Sequence, residues 1–221
     1  MNEYLILKFA HILAFVYWLG GDLGTFLASR YVVSREPSPE ARAVALKIML
    51  ACDMGPKLAM PLIFPLGLHM AAMTGMVALS TAALVGVWLV ALYWFAVVLV
   101  LYVNEGKPFT AKLSQIDFYF RIAVVIALLA YAGSSLAGIG ATMPGWLAWK
   151  IIVFAGLVSC GIAIRLNLKP FIPAFGQMMA NGASEATDSA MEQSIGRCRP
   201  YVWLIWAGLF INAALGIHLI G

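Results

Sequence analysis

Charge is scarce in this chain: Asp, Glu, Lys and Arg make up only 11% of its 221 residues, and there are just three His and three Cys. A soluble domain carries about 25% charged residues, so the shortage sets the chain outside that class. Cys52, Cys160 and Cys198 show no CxxC or CxxCH spacing. That argues against a structural disulfide, a zinc site and covalently attached c-type haem. A nucleotide-binding loop, a nucleophile-base set and a metalloprotease motif are missing as well, so hydrolase chemistry has no positive support.

Apolar residues take the place of charge: 63% of the chain is hydrophobic and its mean hydropathy is +0.92. Stretches long enough to cross about 30 Å of hydrocarbon at 1.5 Å per residue occur at about 3–29, 57–79, 83–103, 122–142, 146–166 and 201–220. Only a helix satisfies its backbone groups within one such segment, so the sequence predicts an all-α, six-helix transmembrane bundle forming one domain over residues 1–221.

Basic residues set the expected orientation. Arg30, Arg35, Arg42 and Lys47 follow the first span, Lys107, Lys112 and Arg121 the third, and Arg165, Lys169, Arg197 and Arg199 the fifth. The connections near 80–82 and 143–145 carry none. By the positive-inside rule the loops at about 30–56, 104–121 and 167–200 are cytoplasmic and both termini lie on the outer, periplasmic side of a bacterial inner membrane. This asymmetry accounts for the net charge of +4 and the pI near 9.0, which give no evidence for nucleic-acid binding. The first segment starts with Asn2 and Glu3 and lacks a cleavage site, so it is expected to be retained as a span.

Ser38, Pro39 and Glu40 form a helix start, and the helix over about 39–54 either runs along the cytoplasmic surface or extends the second span. Pro56, Pro61 and Pro65 follow, each removing a backbone hydrogen bond, with Gly67 two residues before His69. Residues 133–141 are small enough for helices to approach closely there. The stretch 170–200 reads as a cytoplasmic loop with one short helix.

All three histidines fall in predicted spans, and an imidazole in hydrocarbon needs a hydrogen bond, a metal or a cofactor. On the first span Lys8, His11, Trp18, Asp22, Thr25 and Ser29 share an arc of about 100°, which should face the bundle interior. His69, Met73, Met76 and Ser80 share a face about 80° wide on the second. Counted from the predicted span ends, His11 and His69 both lie about 12–15 Å below the outer surface on antiparallel neighbours. That is where two axial ligands of one haem, or two ligands of one metal ion, would have to be.

Other residues admit two readings each. Asp22 either joins helices through a hydrogen bond or takes part in catalysis or a proton relay. His218, three residues from the end, is either an interface residue or a member of the site. Met70, Met73 and Met76 are either fillers of apolar gaps or soft ligands for Cu(I). Lys150, after Pro144-Gly145-Trp146-Leu147, either snorkels to water or, with Lys8, pairs with the propionates of a haem.

Lys8-x-x-His11-Ile12, with Trp18 and Gly21 further on, resembles the first helix of the HemJ-type protoporphyrinogen oxidases. Trp146-Leu147-x-x-Lys150 is similar to the lysine-bearing helix start of the same family, and the copper-resistance D-type membrane proteins share a similar first-helix pattern. The resemblance covers two short patches, and that family has about four spans where this chain has six. It implies a haem b held by the first-helix histidine, here His11, and a functional lysine, here Lys150.

Three expectations therefore compete. The first is a haem b membrane oxidoreductase, quinone-linked or porphyrin-oxidising, with His11 and His69 as axial ligands, Lys8 and Lys150 as propionate or substrate partners and Trp18 in the pocket wall. The second is a copper-handling protein using His11, His69, Met73 and Met76. The third is a non-enzymatic subunit of a homo- or hetero-oligomer, or a proton-coupled transporter relaying protons through His11 and Asp22.

Overall fold

A computed structural model of the chain describes residues 2–140 and 142–220. It consists of seven helices with, among the described residues, no strand: α1 (Asn2–Val33), α2 (Pro39–Met73), α3 (Thr81–Val103), α4 (Pro108–Leu136), α5 (Gly145–Asn167), α6 (Phe171–Asn181) and α7 (Glu185–Gly216). Six helical segments are long and apolar enough to cross a membrane. Each spanning helix lies beside the next, and α7 returns to α1, so the six form a closed ring. The main core runs through its middle, with Trp18, Met60, Trp94, Leu128, Phe154, Leu157 and Leu209 buried together.

The basic loops expected at about 30–56, 104–121 and 167–200 are mostly helix, because each holds a strong start signal. The Ser38 side chain accepts from the Ala41 amide, Pro108 opens α4, and Ser184 and Thr187 form a reciprocal capping box at the head of α7. As a result α2 extends the second span from Pro39 and stays helical through Pro56, Pro61 and Pro65, and α7 starts at Glu185 and stays helical through Pro200. The second span also ends earlier than expected, at Met73 and not near 79. Gly75, at φ 72°, closes α2 in a Schellman turn, with Met76 N–H donating to Ala71 O and Gly75 N–H to Ala72 O.

At the end remote from the termini, charges tie the helices together. Arg42 is fully buried, donates from Nε to Val32 O at 2.8 Å and pairs with Asp188 at 2.7 Å, joining the ends of α1, α2 and α7. Breaking such a buried pair by removing one partner costs about 3–5 kcal/mol. Asp117, also buried, receives Arg121 at 3.0 Å and Arg165 at 2.9 Å and so joins α4 to α5.

Close helix approach does not occur at residues 133–140: a Cβ added at Gly133, Gly138 or Gly140 would meet nothing within 4 Å, and Ala141 lies outside the described residues. It occurs between α1 and α2. A Cβ at Gly21 would stand 2.5 Å from Pro56 Cδ and 2.7 Å from Cys52 O, one at Gly24 2.8 Å from Cys52 Sγ, and one at Gly55 2.7 Å from Tyr17 O. The open positions fail to pack because α4 already ends at Leu136, so the later glycines belong to a loop.

Gly21→Val should therefore destabilise the protein by about 1–3 kcal/mol, the usual cost of overpacking. Gly20→Val, one residue away where nothing lies within 4 Å, should change the thermal unfolding midpoint in detergent little by comparison.

Candidate functional site

A cavity of about 370 Å³ opens at the end of the bundle that carries both termini, between α1, α2, α5 and α7. Its volume falls within the roughly 300–1,000 Å³ of pockets that hold small organic ligands. The floor is aromatic: Trp18 is almost fully buried, meets Phe154 edge-on at 6.1 Å, and Phe154 stacks on Phe64 at 5.6 Å. Around the mouth stand Tyr4 and Lys8 of α1, Thr74 after α2, and Gly216 to His218 at the end of α7.

His11 is seated by the α1–α2 packing. Gly67 lies opposite it, and a Cβ there would stand 3.0 Å from the imidazole Cε1, so glycine is what makes room for the ring. Nδ1 of His11 is buried with no hydrogen-bond partner among the described residues, and Oδ1 of Asn212 on α7 is in the same condition while its Nδ2 donates to Lys150 O at 3.3 Å. Both residues line the cavity. A buried polar atom left unmatched costs about 1–3 kcal/mol, so two on one cavity mark where a ligand or ordered water belongs.

Lys8, Trp18, Lys150 and Met76 also line the cavity. Lys150 Nζ lies 5.9 Å from the Trp146 ring centroid, and a Cβ at Gly216 would come within 2.6 Å of it, so the amine sits at the C-terminal end of α7, where a cation is favoured. Two lysines and two histidines face the space, and among the described residues no Asp or Glu lines it.

The expected pairing of His11 with His69 does not occur. Depth does not separate them, since Gly67 lies against His11 and His69 is only about 3 Å farther along α2. Facing does: His69 stands two residues beyond Gly67, about 200° round the helix from the face that meets His11. It points to α3, with its ring edge-on to Trp88 at 6.3 Å and its Nδ1 buried without a partner among the described residues. Met73 is 42% exposed and outside the cavity, while Met70, expected to face elsewhere, lines it. The expected copper set of His11, His69, Met73 and Met76 is therefore split, and no group of three His, Cys, Asp or Glu residues able to hold a metal ion is found among the described residues. Asp22 lies one turn below Trp18, does not line the cavity, and has Oδ2 buried without a hydrogen-bond partner among the described residues.

His218, for which the sequence left open an interface role or membership of the site, is at the cavity. It lines the cavity, packs against Trp146 with ring centroids 4.8 Å apart, and adopts φ 56°. Its backbone closes α7 in a Schellman turn, with Leu219 N–H donating to Ala214 O and His218 N–H to Leu215 O. The same turn closes α2 at Gly75 and α4 at Gly138, both glycines with positive φ. An L-residue in that conformation costs about 1–2 kcal/mol, so the side chain of His218 is held at the cavity mouth against a backbone preference.

Asn212 was missed from the sequence, although a lone amide in an apolar span was a usable signal. Phe64 and Phe154 carried no signal beyond ordinary apolar character. No family model, curated protein or solved structure matches the chain.

Gly67→Leu should displace the His11 imidazole and change its rate of modification by diethylpyrocarbonate severalfold, read by peptide mass spectrometry. An unchanged rate at His11 would show that Gly67 does not seat the ring.

Proposed function

We propose that the protein is a multi-pass inner-membrane protein that holds a haem b in this cavity and moves electrons. The carrying observation is that His11 and His218 line one cavity together with two lysines, aromatic rings and no acid among the described residues. With the basic end of the bundle in the cytoplasm, as the positive-inside rule requires, the cavity faces the outer leaflet.

The residues fit such a group. His11, its ring given room by Gly67, would hold the iron through an imidazole nitrogen, and His218, which lines the same cavity, would be the candidate for a second ligand. Lys8 and Lys150 offer charge-assisted hydrogen bonds to two propionates at the aqueous end. Trp18, Phe64 and Phe154 give an apolar, aromatic floor. Bound haem supplies one-electron chemistry, while the chain sets orientation, access and polarity. Copper handling draws less support, since Met73 and His69 stand away from His11. A proton relay from His11 to Asp22 draws less support, since Asp22 does not line the cavity.

Protein purified from haem-replete cells should show a Soret band that shifts and sharpens on reduction. His11→Ala should abolish it, His218→Ala should convert a six-coordinate spectrum to five-coordinate, and His69→Ala should leave it unchanged. Lys8→Gln and Lys150→Gln should each weaken haem retention about tenfold to a hundredfold, the worth of one charge-assisted hydrogen bond. A colourless preparation would sink the reading.

A further inference from the structure

Two apolar residues of the cavity lining, Ile12 and Ile217, are strongly exposed. On α1 the residues that meet α2, such as Ala14 and Gly21, lie on one flank, and Ile12 lies about 160° round from Ala14 on the other. That far flank faces α7, as Phe26 shows by meeting Trp206 edge-on at 5.3 Å. Ile12 lines the cavity and is nevertheless 49% exposed. It stands ten residues along α1 from Asn2, about 15 Å from the helix start, a depth at which exposure means hydrocarbon and not water. On the α7 side of the same seam Ile217 also lines the cavity and is 74% exposed. The helices touch through Phe26 and Trp206 farther down and are separated by the cavity above.

We propose that the seam between α1 and α7, flanked by Ile12 and Ile217, is a lateral portal through which a carboxylate-bearing amphiphile passes from the membrane into the cavity. The apolar flanks pass the body of such a molecule, and the lining selects its head: Lys8, Lys150, His11 and His218 face the space with no acid among the described residues. A soluble ligand would not need an opening at that depth. The proposal extends the haem reading, since a haem with its propionates is one member of this class, but it stands on the portal and the lining alone.

Electron paramagnetic resonance of the full chain in vesicles tests it, with nitroxide-labelled stearic acid as the probe and its methyl ester as the uncharged control, at alkaline pH where the carboxyl is ionised. The acid should show a motionally restricted fraction severalfold above that of the ester, and Lys8→Gln combined with Lys150→Gln should bring the two together. Ile12→Cys, folded and reconstituted first and then alkylated with a bulky maleimide, should lose the restricted fraction that it shows before alkylation, while the parent chain with its own Cys52, Cys160 and Cys198, treated alike, should keep it. Equal restriction of acid and ester would overturn the selection for a carboxylate, and a restricted fraction indifferent to the bulky group would overturn the portal. The same restriction shown by labelled phosphatidylglycerol would replace the carboxylate class with anionic lipid. Soret absorbance measured on the same samples separates the two readings: a colourless protein that still restricts the acid loses the haem and keeps the portal.

Discussion

The site depends on how closely α1 and α2 approach. In a bilayer, lipid tails are as apolar as leucine, so two helices associate through van der Waals packing and small residues rather than through hydrophobic exclusion. Here glycines on both helices supply it. Followed from the terminal end inward, His11, Gly21, Gly24 and Thr25 of α1 meet Gly67, Pro56, Cys52 and Met49 of α2 in reverse order, an antiparallel register held over the length of the contact. Proline contributes as well: Pro56 has no N–H, so the carbonyl of Cys52 lacks its helical donor, and that oxygen faces Gly21 of α1. A weak Cα–H···O contact across the helices suits that geometry. Once this register is set, the depth of His11 and its seat on Gly67 follow.

The two ends of the bundle are built differently. Arg42 with Asp188, Arg121 and Arg165 with Asp117, and Arg35 with Glu185 and Glu192 all gather at the end remote from the termini. A second apolar cluster covers the same region, where Val32, Met49, Met178 and Met191 pack together beneath α6. The end bearing the termini has no comparable tie among the described residues, and there the helices part around Lys8, His11, Lys150 and His218. A pinned base with an open top lets α1 and α7 meet at Phe26 and Trp206 yet enclose a space above them.

Much of this was legible in the sequence, and the failures have physical causes. Hydropathy and loop charge gave the six spans, since a bilayer allows few alternatives. The polar arc of α1 was legible too: Lys8, His11 and Trp18 line the cavity, while Thr25 donates to Gly21 O and Ser29 to Phe26 O against the interior. His69 was misjudged because matching depth does not fix facing: it lies only about 3 Å along α2 from Gly67, but Gly67 had already taken the face toward α1. His218 was discounted for being near the chain end. Its position reflects a backbone conformation, and φ at a helix end cannot be read from residue type when the residue is not glycine. Gly133 to Gly140 looked like a packing motif because small residues mark close approach only inside a helix that has a neighbour to meet.

The cavity carries several costs at once, and their concentration is the strongest argument that it is a site. Gly67 forgoes a side chain in the interior of α2, His218 holds a conformation that the equivalent turns of α2 and α4 give to glycine, and His11 and Asn212 each leave a buried polar atom without a partner among the described residues. The costs run from about 0.5–1 kcal/mol for the helical glycine to about 1–3 kcal/mol for each unmatched atom, together a large fraction of what holds a domain together. A gap produced by chance packing would be expected to scatter such features or to be filled by a larger residue at Gly67. Here they converge on one space, and a ligand able to match His11 and Asn212 would recover most of that cost on binding. A molecule that bound there only in the folded state would stabilise the terminal end, as the ion pairs do the other.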